Sequence, residues 1–241
     1  MKTQSLDILA FGAHPDDVEL GCGGTLSKLA QQNLKLGIVD LTEGEKGTRG
    51  TVEERYAEAR EAARLLGVSE RINLQIPDGD IENNTANRAK IIALVRKFCP
   101  KIVFAPYPAD RHPDHIHTGD LIREACFYAG VAKISPEDYP AHRPARIIYY
   151  MITDEFVPSF FIDISRQFTD KFAAIKAYKS QFYNPAYHAE ETFISSKEYL
   201  ESIELRGRYF GWKAGVKFAE PFWVREPLVF EDVSILMQSR K

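Results

Sequence analysis

Two short clusters carry the residue types that do chemistry, His14-Pro15-Asp16-Asp17 and Arg111-His112-Pro113-Asp114-His115. One imidazole and two carboxylates packed that tightly repel and desolvate one another unless a cation lies among them. His with Asp is a common ligand set for zinc or another first-row divalent ion. The first cluster alone also fits a helix N-cap, with Asp side chains satisfying the opening amides. The second cluster, of the same composition and in the same kind of context, tips the balance to a metal centre.

His14 and Asp17 are three residues apart, so at a helix start both face one point. His115 is the natural third ligand, which leaves one position open as in a catalytic zinc site. Asp16, next to a ligand, is placed to act as general base on the attacking water. Asp114 can hold His112 as an imidazolium, which would stabilise an oxyanion or protonate a leaving group. An ion that lowers the pKa of water toward ~7 and polarises a carbonyl completes the equipment for hydrolysing an amide or ester. Phosphoester hydrolysis usually needs two metals, and the clusters hold too few carboxylates for a second. The chain has no GxSxG nucleophile elbow, and Gly21-Cys22-Gly23-Gly24 lacks the spacing of a dinucleotide loop. His117 reads as a helix-surface residue, and Cys22 has no second Cys to make it a ligand.

Each cluster must be delivered by a strand. Leu6–Gly12 is a short apolar run, with Pro15 suited to the first helical position and Gly21–Gly24 read as a glycine-rich turn. A helix continues over Thr25–Gln32. Strand patterns follow at Leu36–Leu41, Ile72–Ile76 and Lys101–Pro106, alternating with helices over Glu53–Leu66, Asn87–Phe98 and Ile116–Ala129. This alternation predicts an α/β fold: a Rossmann-like, doubly wound, mostly parallel sheet with helices on both faces. In the order 3-2-1-4, the first and fourth strands are neighbours, and ligands bind where their C-terminal ends part. Both clusters stand at those ends. Thr42–Gly50, with three glycines and several charges, reads as a flexible loop at the same edge, either a plain solvated loop or a lid. The second half predicts strands at Arg146–Ile152 and Phe160–Ile164 and helices over Gln167–Phe182 and Ser195–Lys213, with the tail Phe218–Val229 wrapping the surface.

The 241 residues suffice for one sizeable core, and no linker or repeat divides them, so residues 1–241 read as one domain. A net charge of −3 carries no basic bias and argues against a nucleic-acid partner. No apolar run is long enough to span a membrane, and Met1–Ser5 leads into a core strand without a signal-peptide pattern. Three scattered cysteines without a CxxC pair read as free thiols, which places the protein in the cytoplasm.

Ala13-His14-Pro15-Asp16-Asp17 with Gly21-Cys22-Gly23-Gly24-Thr25, followed by His112-Pro113-Asp114-His115 after an apolar strand, resembles the LmbE/PIG-L zinc-dependent N-acetylglucosaminide deacetylases. The similarity continues through Val103–Pro106, Asp110-Arg111, Phe161–Ser165, Tyr178–Phe182 and Tyr209–Gly211. It is most like the bacillithiol-biosynthesis branch, which deacetylates N-acetylglucosaminyl malate. The resemblance implies zinc, with iron(II) accepted by the same ligands, at His14, Asp17 and His115. It implies Asp16 as general base and His112 as electrostatic or acid partner oriented by Asp114. It also implies Arg55 and Arg111 near the substrate and Tyr199 as a mobile oxyanion contact. The expected partner is a small N-acetylglucosamine conjugate, and the expected assembly a homo-oligomer, hexameric in that branch. Lys46, Arg49, Arg55 and Arg111, all at the predicted active edge, would suit a dianionic malate.

Overall fold

In the computed structural model, which describes residues 5–134 and 139–237, the apolar run forms β1 (Ile8–Gly12), buried throughout its length. Residues 1–4, on which the reading of the N-terminus partly rests, lie outside the described residues. Ile8 and Ala10 enter the core on one face of the sheet, Leu9 and Phe11 the core on the other. A strand covered on both faces reads as a continuous apolar run rather than an alternating one. The strands β2 (Leu36–Asp40), β3 (Glu70–Asn73) and β4 (Ile102–Pro106) run parallel to it in the order β3-β2-β1-β4, as predicted. Helices α1 (Asp17–Gln31) and α2 (Val52–Leu66) pack with α5 (Phe168–Ala177) on one face. Helices α3 (Thr85–Phe98) and α4 (Pro113–Ala129) pair on the other.

The second half extends the sheet through β5 (Arg146–Tyr150) to β7 (Ala219–Trp223) and β6 (Phe160–Asp163). Helix α6 (Lys197–Ala214) packs against β6 and β7. The start of the tail therefore does not wrap the surface. It becomes β7, antiparallel to both neighbours and buried between them. Pro221 hides this strand from a sequence pattern, because Pro cannot donate to a ladder. The ladder to β5 covers only Phe222 and Trp223, so Pro221 stands beyond it.

The glycine-rich stretch after the first motif is also not a turn. It lies inside α1, which is kinked at Cys22 with φ −140°. Gly21 lets the ring of Tyr150 lie against the helix, since a Cβ there would sit 2.0 Å from that ring. The Gly24 and Thr25 N–H groups donate to the buried carboxylate of Glu220 on β7, at 3.0 and 2.7 Å. Lys171 neutralises that carboxylate at 2.5 Å. A kink that would leave buried amides unpartnered is thus anchored by a side chain 195 residues away.

Candidate active site

The C-terminal ends of β1 and β4 lie side by side, in the register Ile8↔Ile102 to Ala10↔Phe104. Each releases its cluster into a turn that starts a helix. After β1 the helix begins at Asp17, with Asp16 as the N-cap at φ 123°, ψ −24°. Pro15 therefore stands before the helix, not at its first position. The proline that takes a first helical position is Pro113, behind the N-cap His112. A non-glycine residue at such a φ is held there by its surroundings at an energetic cost, and such residues cluster at functional sites. Here Arg55 holds the preceding peptide by donating from Nη2 to the Pro15 carbonyl at 2.8 Å.

His14, Asp17 and His115 bring ligand atoms within 4.8 Å of one another. His115 Nε2 lies 3.1 Å from Asp17 Oδ1, and His14 Nδ1 lies 3.7 Å from Asp17 Oδ2. The second nitrogen of each ring faces a carboxylate: His115 Nδ1 meets Asp110 at 2.9 Å, and His14 Nε2 meets Asp78 at 3.1 Å and Asp114 at 3.3 Å. Metal-ligating histidines almost always show this pairing, because the outer carboxylate fixes the tautomer and turns the lone pair of the inner nitrogen to the ion. His14, His112 and Asp114 also approach one another, but there His112 Nδ1 already accepts the Asp114 N–H at 3.2 Å. The donor chemistry of the first trio thus fits a first-row divalent ion.

Asp16 is 5 % exposed beside this trio. Burial pushes its carboxyl up to about 7, with the Arg55 guanidinium, 3.5 Å away, pulling in the opposite direction. Burial also pushes Asp110 up, but the bond from His115 and the surrounding N–H donors outweigh it and bring the carboxyl down to about 2. A cleft of about 350 Å³ opens over the trio, with Asp16, Arg111, His112 and Tyr199 in its walls.

The description "GlcNAc-PI de-N-acetylase" belongs to the PIG-L family model that matches residues 9–126. A diacetylchitobiose deacetylase of Thermococcus kodakarensis is 31 % identical over 227 residues, covering 88 % of this chain and 80 % of the relative. The chain belongs to the PIG-L/LmbE deacetylase family. A conserved protein of Thermus thermophilus has the same fold at TM-score 0.85 and 40 % identity, covering 93 % of this chain and 97 % of its own. A probable N-acetyl-alpha-D-glucosaminyl L-malate deacetylase 2 of Bacillus anthracis is 27 % identical, covering 93 % of this chain and 96 % of the relative. The family assignment thus agrees with the sequence resemblance, while identity to the diacetylchitobiose enzyme exceeds identity to the malate enzyme.

Within this PIG-L frame several residues sit differently from expectation. Asp114 does not hold His112 through its carboxylate: the backbone N–H of Asp114 donates to His112 Nδ1, while the carboxylate turns to His14 and to the Gly79 N–H. A nitrogen that accepts a hydrogen bond carries no proton, so the neutral ring has its proton on Nε2. Burial is the largest influence on the His112 ring and pushes its pKa down, against the imidazolium expected. Arg55 lines the cleft but is buried, its Nη1 and Nη2 committed to the Gly44 and Pro15 carbonyls. Gly44, at φ +68°, is required there because a Cβ would fall 1.9 Å from Arg55 Nη1.

The 42–50 loop is not free either. Arg49 is buried and donates to the Ser180 and Glu190 carbonyls, while the Lys46 N–H donates to Asp78. Arg111 is exposed and lies over the Phe193 ring at 4.6 Å. Tyr199, in the first turn of α6, stacks on Phe182, and burial pushes its hydroxyl up to about 12. Asp78 and Asp110 also belong to the site, although the sequence gives neither a role in it. Asp78 reads only as a turn residue, and the partner of Asp110 is revealed by geometry rather than by spacing.

Proposed function

We propose that this protein removes the acetyl group from an N-acetylglucosamine conjugate, using a divalent ion, zinc or iron(II), at His14, Asp17 and His115. The observation that carries the reading is a buried carboxylate, Asp16, beside a His-Asp-His trio whose two imidazoles are each backed by a carboxylate. When bound, the ion supplies an activated water and polarises the amide carbonyl. Asp16 takes a proton from the attacking water and returns it to the leaving amine; a base poised near neutral pH suits both transfers. His112 offers Nε2–H to the oxygen that becomes negative as the carbonyl carbon turns tetrahedral. Tyr199, which also lines the cleft, is the second candidate donor to that oxygen. Free cysteines at 22, 99 and 126 fit the cytoplasmic setting of this reading.

Because Asp16 must be ionised to act, kcat/KM falls as the pH drops below about 7. Arg55 opposes protonation of Asp16, so Arg55→Ala moves this acid limb to higher pH. A pH–rate profile of the two proteins checks this, and coincident limbs would show that Arg55 does not set the base.

The exposed side chains of Lys46 and Arg111 stand at the cleft, which favours an anionic aglycone such as malate. The second substrate is diacetylchitobiose, favoured by the 31 % identity to the Thermococcus enzyme. Amine release from N-acetylglucosaminyl malate, diacetylchitobiose and free N-acetylglucosamine separates them. The malate conjugate is expected to have the highest kcat/KM, and Lys46→Ala with Arg111→Ala to raise its KM about tenfold while sparing the neutral sugars. Preference for diacetylchitobiose in the unmodified protein would transfer the assignment to the neutral substrate.

A further inference from the structure

The turn after β3 gathers three parts of the cleft. Asp78 Oδ1 lies 3.1 Å from His14 Nε2, and Oδ2 accepts the Lys46 N–H at 3.0 Å. The Asp78 N–H donates to the Glu45 carboxylate at 2.7 Å. The next amide, Gly79 N–H, donates at 2.9 Å to Asp114 Oδ2, the oxygen that lies 3.3 Å from His14 Nε2. A neutral imidazole has one proton. Two carboxylates at Nε2 keep it there, and the lone pair of Nδ1 is left facing Asp17.

We propose that Asp78 is a positioning residue, which holds His14 with Nδ1 toward the ligand cluster and ties to that ring the loop that carries Lys46. The assignment rests on the reading of His14, Asp17 and His115 as the metal centre. One carboxylate thus serves both sides of the cleft: one oxygen orients a metal ligand, and the other anchors the main chain of a cation on the substrate side. The Lys46 side chain folds back over the same turn, with Nζ only 3.4 Å from where a Gly79 Cβ would stand. Order in the 44–46 segment and order in the His14 ring therefore depend on the same group.

The test compares the full-length zinc-loaded protein with Asp78→Asn and Lys46→Ala. Zinc affinity is read by competition with a chromophoric chelator, and kcat and KM by amine release. Asp78→Asn is expected to weaken zinc binding about 10- to 100-fold and to raise KM as well, since both tethers pass through it. Lys46→Ala should raise KM and leave zinc affinity unchanged. In the unmodified protein, ¹⁵N-histidine spectra should show His14 protonated at Nε2 and ligating through Nδ1. A ring found protonated at Nδ1 would overturn the role of Asp78 even where the Asp78 variant fails to fold.

Zinc affinity unchanged within threefold in a folded Asp78→Asn protein, or a His14 ring protonated at Nδ1, overturns the assignment. Deacetylation by the unmodified protein together with an unaffected variant would sink the Asp78 role and leave the proposed function standing. Zinc bound through Nδ1 without acetate release from any glucosamine conjugate would do the reverse.

Discussion

Replacing Asp16 by Asn is expected to lower kcat by about 10²- to 10⁴-fold while zinc content and the fold are retained. Asn is nearly the size of Asp and shares its tolerance of positive φ, so the N-cap geometry at φ 123° survives the change. What is lost is the ability to accept a proton. Asp16 makes no contact that would make it a ligand of the first rank: the trio closes through Asp17, whose two oxygens face His115 and His14. Elemental analysis beside amine-release kinetics checks the separation. A variant with activity within tenfold of the parent would move the base elsewhere. A variant stripped of zinc would make Asp16 a ligand instead.

Asp17→Ala has the complementary outcome. Its carboxylate meets His115 Nε2 at 3.1 Å and accepts the His14 N–H at 2.9 Å, so it joins the two strand ends as well as completing the proposed ligand trio. Its removal is expected to abolish stoichiometric metal binding and to reduce turnover by more than about 10²-fold, a loss that added zinc does not repair. The sheet does not depend on this residue, since β1 and β4 pair through their backbones. Circular dichroism should therefore remain that of the parent. Full metal occupancy in the variant would show that the ion is held by other groups.

The half of the chain that builds this site is readable because its signals are local. Apolar runs of strand length alternate with helical periods, and each chemical cluster directly follows a run. The rule that ligands bind where the strand order reverses then joins two clusters about 100 residues apart. The failures have equally physical origins. β7 is obscured by Pro221, whose position beyond the β5 ladder is a property of the assembled sheet. The kinked Gly21–Gly24 segment reads as a turn until Glu220 supplies partners for its amides. The loop at 42–50 has the composition of a lid, yet Arg49 and Arg55 pin it through backbone oxygens that no sequence pattern marks.

The difference at the His112–Asp114 pair is of another kind. Residue types two apart suggest a charge pair, whereas at a helix N-terminus the nearer partner is the backbone amide. The same N-cap leaves the Asp114 carboxylate free to turn toward His14. Asp78 and Asp110 show the general limit. Asp78 reaches His14 from another loop and Asp110 reaches His115 from its own, and the folded chain brings each carboxylate within 3.1 Å of a ring nitrogen.

On the proposed function the two strand-end clusters form one metal-dependent deacetylating site. Its most direct test is to measure ion content and acetate release from an N-acetylglucosamine conjugate on one preparation, as purified, after stripping with a chelator, and after zinc is restored. One ion per chain is expected, with an activity that disappears and returns with it. Acetate release that persists at full rate once the ion is gone would contradict it.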